Sequence, residues 1–297
     1  MNWFGESMKR RALFILFSMS ILCLANVEAH ASHFRYGNVD YRPVLNSNGN
    51  ATGTVEFHIK EAWRRSAFFS GSTPTIGQTF TPDTFFFGDG GSTSITLKVT
   101  SESITEDWIA GEMTVQHGYG GAGPYTAYSS NCCRIFALNN GSSGSWRFDT
   151  IVSPFSTNNS PTSSLVPIVN VPASSNASFF VPASDLDRDP LRFRIASQSE
   201  TLIPGVPNLN VNSTTGLVTW NNVGLDQTNY WSTQIIIEDL DSGGNVKSKT
   251  AVDILLKIVQ VTGVAPSCLI TAPVRLSHFR LLRERTFRSR SPAPIPI

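Results

Sequence analysis

Charge is scarce in this chain of 297 residues. Asp, Glu, Lys and Arg make up only 15% of it and nearly cancel, leaving a formal net charge of +1. A near-neutral chain has no global field to draw it to nucleic acid or to an anionic membrane, so neither is expected as a specific partner. Cysteine is scarcer still, with four in total: Cys23, Cys132, Cys133 and Cys268. That count excludes a disulfide-dense scaffold and leaves stability to hydrophobic cores. Helical periodicity is missing as well. No segment keeps a 3.6-residue apolar period over about eleven residues, which argues against a helical protein. Beyond the N-terminal leader no apolar run reaches the roughly 18 residues of a membrane span, so no transmembrane helix is expected.

Motifs of common enzyme chemistry fail on inspection. "GYGGAG" at 118–123 has dinucleotide-loop spacing, but Pro124 and polar, aromatic residues follow where a helix is needed. "GSSGS" lacks the nucleophile-elbow spacing. Neither H-E-x-x-H nor C-x-x-C occurs. The expectation is a protein that is not an enzyme.

What is present is an export leader followed by strands. Lys9, Arg10 and Arg11 precede the apolar run "ALFILFSMSILCLA", and Ala29 and Ala31 are small residues where a signal peptidase reads. Residues 1–31 are therefore read as a signal peptide, and the mature chain as secreted, extracellular or held at the cell surface. In that oxidising setting three cysteines remain, two of them adjacent. A vicinal bridge, a bond to Cys268 with one thiol spare, and an intermolecular bond all stay open.

Residues 32–152 read as a β-rich module. "VEFHIKEAW" alternates, with Val55, Phe57 and Ile59 on one face and Glu56, His58 and Lys60 on the other. "SITLKVTS" does the same with Ile95, Leu97 and Val99, after the turn signal "GDGG". "SPFSTNNSPTSS", 153–164, is polar and broken by proline, and reads as a linker. From 165 to 262 short strands recur with turn signals between them, the pattern of a β-sandwich. The fold class expected is all-β, in two parts. The last segment, 263–297, is arginine-rich, shows no strand alternation and is read as a disordered tail.

Three blocks of the second part, "VPASDLDRDPLRFRIAS", "VPNLNVNSTTGLVTWNN" and "YWSTQIIIEDLDSGGNVKSKTAVDILLKIV", resemble cadherin-like and immunoglobulin-like repeats of secreted and surface proteins. The resemblance implies a cadherin-like/Ig-like β-sandwich. It departs from true cadherins in lacking a D-x-N-D-N linker and in having Arg188 where glycine is common. The N-terminal module carries no such resemblance to a named family.

Asp185, Asp187 and Asp189 stand at alternate positions between two hydrophobic runs, and Asp239 and Asp241 lie some 50 residues on, with Glu238 beside them. With "ASFFVPA" as strand B, "LRFRIAS" as C, "TQIIIED" as F and "KTAVDILLKIV" as G, the B–C and F–G loops share one end of a sandwich. Two acidic loops side by side repel, and calcium, which takes six to eight oxygens, relieves that repulsion. The five aspartates are the expected calcium ligands. Solvated acidic turns and plain hairpin chemistry are the competing reading. The function expected is adhesion or interaction outside the cell, with a cell-surface or matrix protein or a glycan as partner. A carbohydrate-binding protein, using Trp63, Trp108, Trp146, Tyr125 or Tyr128 as stacking surfaces, is the alternative.

Overall fold

The computed structural model describes residues 33–67 and 73–260. The leader, the tail and Cys268 lie outside them. The described chain is built almost wholly of strands: β1 (Phe34–Leu45), β2 (Ala51–Arg64), β3 (Thr79–Phe86), β4 (Ser92–Ser103), β5 (Trp108–Gly118), β6 (Tyr125–Asn131), β7 (Trp146–Val152), β8 (Thr162–Ser163), β9 (Ile168–Pro172), β10 (Ala177–Phe180), β11 (Ala183–Ser184), β12 (Leu191–Ile195), β13 (Leu209–Val211), β14 (Leu217–Trp220), β15 (Trp231–Leu240) and β16 (Val246–Val259). One turn of helix, α1 (Gln198–Thr201), starts in a capping box at Ser197 and Glu200. No described helix is long and apolar enough to cross a membrane.

The alternation in "VEFHIKEAW" works as physics requires. Val55, Phe57 and Ile59 are fully buried, and Glu56, His58 and Lys60 face outward. Strands β1, β2, β5, β4, β3, β6 and β7 follow one another in the sheet, and β16 pairs with both β7 and β1, so that eight strands close on themselves. Inside lies an aromatic-rich core. Phe34 stacks on Trp146 at 4.0 Å between ring centroids, Trp146 on Phe148 at 5.8 Å, and Trp63 meets Trp146 edge-on. Gly37 exists because of this stack: a Cβ there would meet Phe148 Cδ1 at 2.2 Å and Phe34 Cζ at 2.9 Å. Gly37→Ala is therefore expected to cost about 1–3 kcal/mol by overpacking, read as a lower denaturant midpoint; an unchanged midpoint would mean that the stack yields freely.

The second core is a sandwich. β9, β16, β15 and β12 form one side and the sheet β10–β14–β13 the other, with Phe193, Val218, Trp220, Ile235, Ile237 and Ile254 between them. β16 belongs to both cores. Ala251 turns into the first and Val252, Ile254 and Leu256 into the second, which is why its sequence reads as one apolar run.

The expected boundary at 153–164 does not fall at a break in the structure. Asn158, Ser160 and Ser163 are buried, Ser160 Oγ accepts from the Tyr41 amide at 2.7 Å, and Pro161 O accepts from Thr250 Oγ1 of β16 at 2.5 Å, while Thr150 Oγ1 of β7 donates to Lys249 O at 2.6 Å. The described residues, through Gln260, form one compact unit. The polar composition of this segment reflects hydrogen bonding in a buried seam rather than solvation. Elsewhere on β16 the buried Asp253 meets Arg134.

Candidate functional site

The acidic end of the sandwich is assembled from three places. The loop after β11 carries Asp185, Asp187 and Asp189, each offering one carboxylate oxygen, all within 4.8 Å of one another. The segment before β8 contributes Asn159, whose backbone and side-chain amides donate to the two oxygens of Asp187 at 2.7 and 2.9 Å. β16 contributes Lys247, whose ammonium pairs with Asp189 Oδ2. Asp185 Oδ1 accepts from the Asp189 amide at 2.9 Å, closing the loop on itself, and Asp185 Oδ2 is buried without a hydrogen-bond partner.

The electrostatics follow from this packing. Burial pushes the Asp185 carboxyl above its ordinary pKa, and the charges of Asp239, Asp187 and Asp189 push the same way against the one backbone hydrogen bond. Burial works against the Lys247 ammonium, but its bond to Asp189 and the charges of Asp189, Asp239 and Asp187 outweigh it, so its pKa is raised.

The second expected acidic loop is differently made. Glu238 and Asp239 lie within β15, which runs on to Leu240 through an irregular register. Asp239 is fully buried. Its Oδ1 accepts from the Ser248 amide (2.7 Å) and hydroxyl (2.6 Å), and its Oδ2 from Asn158 Nδ2 (2.6 Å). Glu238 takes Arg192 and Arg194 at 2.7 and 2.8 Å. Asp241 is the hairpin residue: Oδ1 accepts from the amides of Gly243 and Asn245, both at 2.8 Å, while Gly244 takes φ +82°. Those hydrogen bonds, the Asn245 side chain foremost, hold its pKa below the ordinary range. The structure thus gathers Asp185, Asp187 and Asp189, sets Asp239 behind them with both oxygens spent, and assigns Asp241 to a turn. The three loop carboxylates lie close enough together for one cation to reach an oxygen of each, whereas Asp239 is turned into the buried seam and Asp241 into its own turn.

Asn158, Asn159 and Lys247 carry this site as much as the aspartates do, and sequence reading missed all three. The asparagines sit in a stretch whose composition says linker, and Lys247 reaches Asp189 only through the register of β15 on β16. Of the aromatics proposed for stacking, Trp63 and Trp146 are core residues, while Trp108, Tyr125 and Tyr128 are half-buried. Cys132 and Cys133 are joined to each other, across a cis peptide with Cα atoms 3.1 Å apart.

An all-β chain with a closed strand ring, a sandwich and an acidic loop end is a class of architecture, and the comparisons with known proteins narrow it. The sequence profile of the family described as "Integrin beta-like protein A-E, N-terminal" matches residues 35–154. The chain is 31% identical over 274 residues to integrin beta-like protein A of Dictyostelium discoideum, covering 86% of this chain and 13% of that protein. It is 34% identical over 229 residues to integrin beta-like protein E of the same organism, covering 72% of this chain and 11% of that one. The chain thus spans about an eighth of the length of these relatives. Among solved structures, the two tandem V-type regions of a v-region-containing chitin binding protein align over 74% of this chain and 99% of that one, at 11% identity and a TM-score of 0.33, too slight a likeness to bear on the architecture. The sequence similarity found is thus to integrin beta-like proteins, and the cadherin-like resemblance gains no support from it.

Proposed function

We propose that this chain is an adhesion or interaction module of the integrin beta-like kind, working outside the cell and without catalytic chemistry of its own. The observation that carries the reading is the similarity to integrin beta-like protein A, which runs through both cores and not only through the residues matched by the family profile. Its partner is a cell-surface or matrix protein. The finer part of the proposal is calcium at Asp185, Asp187 and Asp189. The unpartnered oxygen of Asp185 supports it, and Lys247 sets its terms, because a cation must displace the ammonium from Asp189.

Two measurements read the two parts. Beads coated with the purified chain are expected to bind cells of its own source well above albumin-coated beads, and calcium to raise the thermal midpoint of the chain. Asp187→Ala is expected to abolish the calcium shift. Beads no better than albumin would overturn the adhesion reading; a midpoint indifferent to calcium and to chelator would remove the cation and leave adhesion standing.

A further inference from the structure

Five triplets of the form Asn-x-Ser/Thr occur in the chain, beginning at Asn50, Asn140, Asn158, Asn176 and Asn212. That triplet is the acceptor for N-linked glycosylation in an exported protein, provided the middle residue is not proline. The letters treat the five alike, and the fold does not.

Asn140 and Asn158 are buried, at 6% and 5% exposure, and their amide nitrogens are spent. Asn140 Nδ2 donates to Pro204 O and to Ser232 O, both at 2.8 Å, and its Oδ1 accepts from the Ser232 amide at 2.9 Å. Asn158 Nδ2 donates to Asn159 O at 2.9 Å and to Asp239 Oδ2 at 2.6 Å. A side-chain amide nitrogen has two protons and glycosylation replaces one, so attachment at either residue strips a hydrogen bond from a buried acceptor. The sugar would also have to enter a close-packed interior.

Asn50, Asn176 and Asn212 are exposed, and so are the hydroxyl residues two places on, Thr52, Ser178 and Thr214. Asn50 closes the turn between β1 and β2 through its backbone amide, which donates to Asn46 Oδ1 at 3.1 Å. Asn176 stands just before β10, with its backbone amide on Ser174 Oγ at 3.1 Å. Asn212 follows β13, and its Oδ1 accepts from the amides of Thr214 and Thr215 at 3.0 and 2.9 Å. Nδ2 of none of the three makes a hydrogen bond among the described residues, so attachment there costs the fold nothing.

We propose that Asn50, Asn176 and Asn212 carry N-linked oligosaccharides and that Asn140 and Asn158 are bare in the folded chain. In each attachment Asn Nδ2 attacks C1 of an oligosaccharide borne on a lipid pyrophosphate. The N–C1 bond forms, the C1–O bond to the pyrophosphate breaks, and the lipid pyrophosphate and one amide proton leave. The transferase meets the chain before it folds, so burial does not shield Asn140 and Asn158 from it. Chains modified there fail to fold and drop out of the secreted product. Two of the glycans flank one sheet: Ala177, next to Asn176, pairs with Trp220 of β14, and the Asn212 amide donates to Leu217 O at the other end of that strand. The sheet β10–β14–β13 is thereby the sugar-bearing side of the sandwich. The proposal rests on the extracellular reading for the route that the chain takes in life.

The test supplies that route. Residues 32–297 are expressed behind a proven secretion leader in a mammalian cell line, and the secreted chain is treated with peptide-N-glycosidase in water labelled with heavy oxygen. The enzyme converts each glycosylated Asn to labelled Asp, which peptide mass mapping locates. Label is expected at Asn50, Asn176 and Asn212 and is expected to be missing from Asn140 and Asn158. Before deglycosylation, Asn50→Gln, Asn176→Gln and Asn212→Asp should each remove one mobility step, the last keeping the oxygen that accepts from Thr214 and Thr215. Label lacking at any of the three, or found at Asn140 or Asn158 in the secreted chain, overturns the proposal. The extracellular reading fails separately, if the chain carrying its own residues 1–31 stays in the cytosol.

Discussion

Arg134→Ala is expected to lower stability by about 3–5 kcal/mol, the cost of leaving a buried charge without its partner. Arg134 has no exposed surface. Its guanidinium reaches Asp253 at 2.6 and 2.7 Å with both carboxylate oxygens engaged, donates to Ser232 Oγ at 2.8 Å, and lies over the Phe34 ring at 5.5 Å. Among the described residues only Gln234 Nε2, at 3.3 Å from Oδ2, remains as a side-chain donor to Asp253 once the arginine is gone. Arg134 also joins parts of the chain 119 residues apart, on opposite sides of the expected linker. The loss should therefore appear in one cooperative unfolding transition, measured by denaturant titration with tryptophan fluorescence, and not as early melting of one half. Two separate transitions would show that the shared strand β16 does not couple the cores. Replacing both partners, as Arg134→Met with Asp253→Leu, should recover at least about half of the loss, since no charge is then stranded.

The same pair shows how far the sequence could be read. Alternation in β2 and β4 was legible because one face of each is buried and the other is not, so period two survives in the letters. β16 was legible as a strand, but its buried faces gave no hint that it meets β7, β1 and β9 along one edge and β15 along the other. The usable signal was Asp253, a lone carboxylate inside "TAVDILLKIV", which demands a buried cation without saying which. The aspartate trio at 185–189 was legible from spacing alone. Asp239 reads as the last residue of a strand, at the mouth of the acidic loop, and nothing in the letters shows that Ser248 and Asn158 supply the donors that let it lie buried.

Glu61→Gln is expected to make the protein more stable at alkaline pH and to leave it nearly unchanged in mild acid. Glu61 lies on β2 with its side chain in the first core, fully buried. Its Oε2 accepts from Trp63 Nε1 at 2.8 Å, and its Oε1 has no partner. Burial pushes its pKa from 4.5 up to about 8; the Trp63 hydrogen bond opposes the shift and the charge of Asp83 adds to it. Asp83 is itself pushed up by burial, with Oδ2 unpartnered. In the unfolded chain Glu61 releases its proton near 4.5, whereas in the folded chain it keeps it to about 8. Between those values the folded state binds more protons than the unfolded state, so stability falls as pH rises and levels off above the folded pKa. The span corresponds to about 2–4 kcal/mol once some relaxation around the ionised group is allowed. Glutamine does not titrate, and its amide oxygen can still accept the Trp63 N–H. Denaturant midpoints of the two proteins should therefore meet near about pH 5 and diverge steadily to about pH 9, with the variant above. Parallel profiles would mean that water reaches Oε1 in solution and that Glu61 ionises in the fold as it does in the open chain. Asp83→Asn supplies the control for the neighbouring charge: it should narrow the Glu61 window from its upper end without abolishing it, because burial is the larger cause and remains.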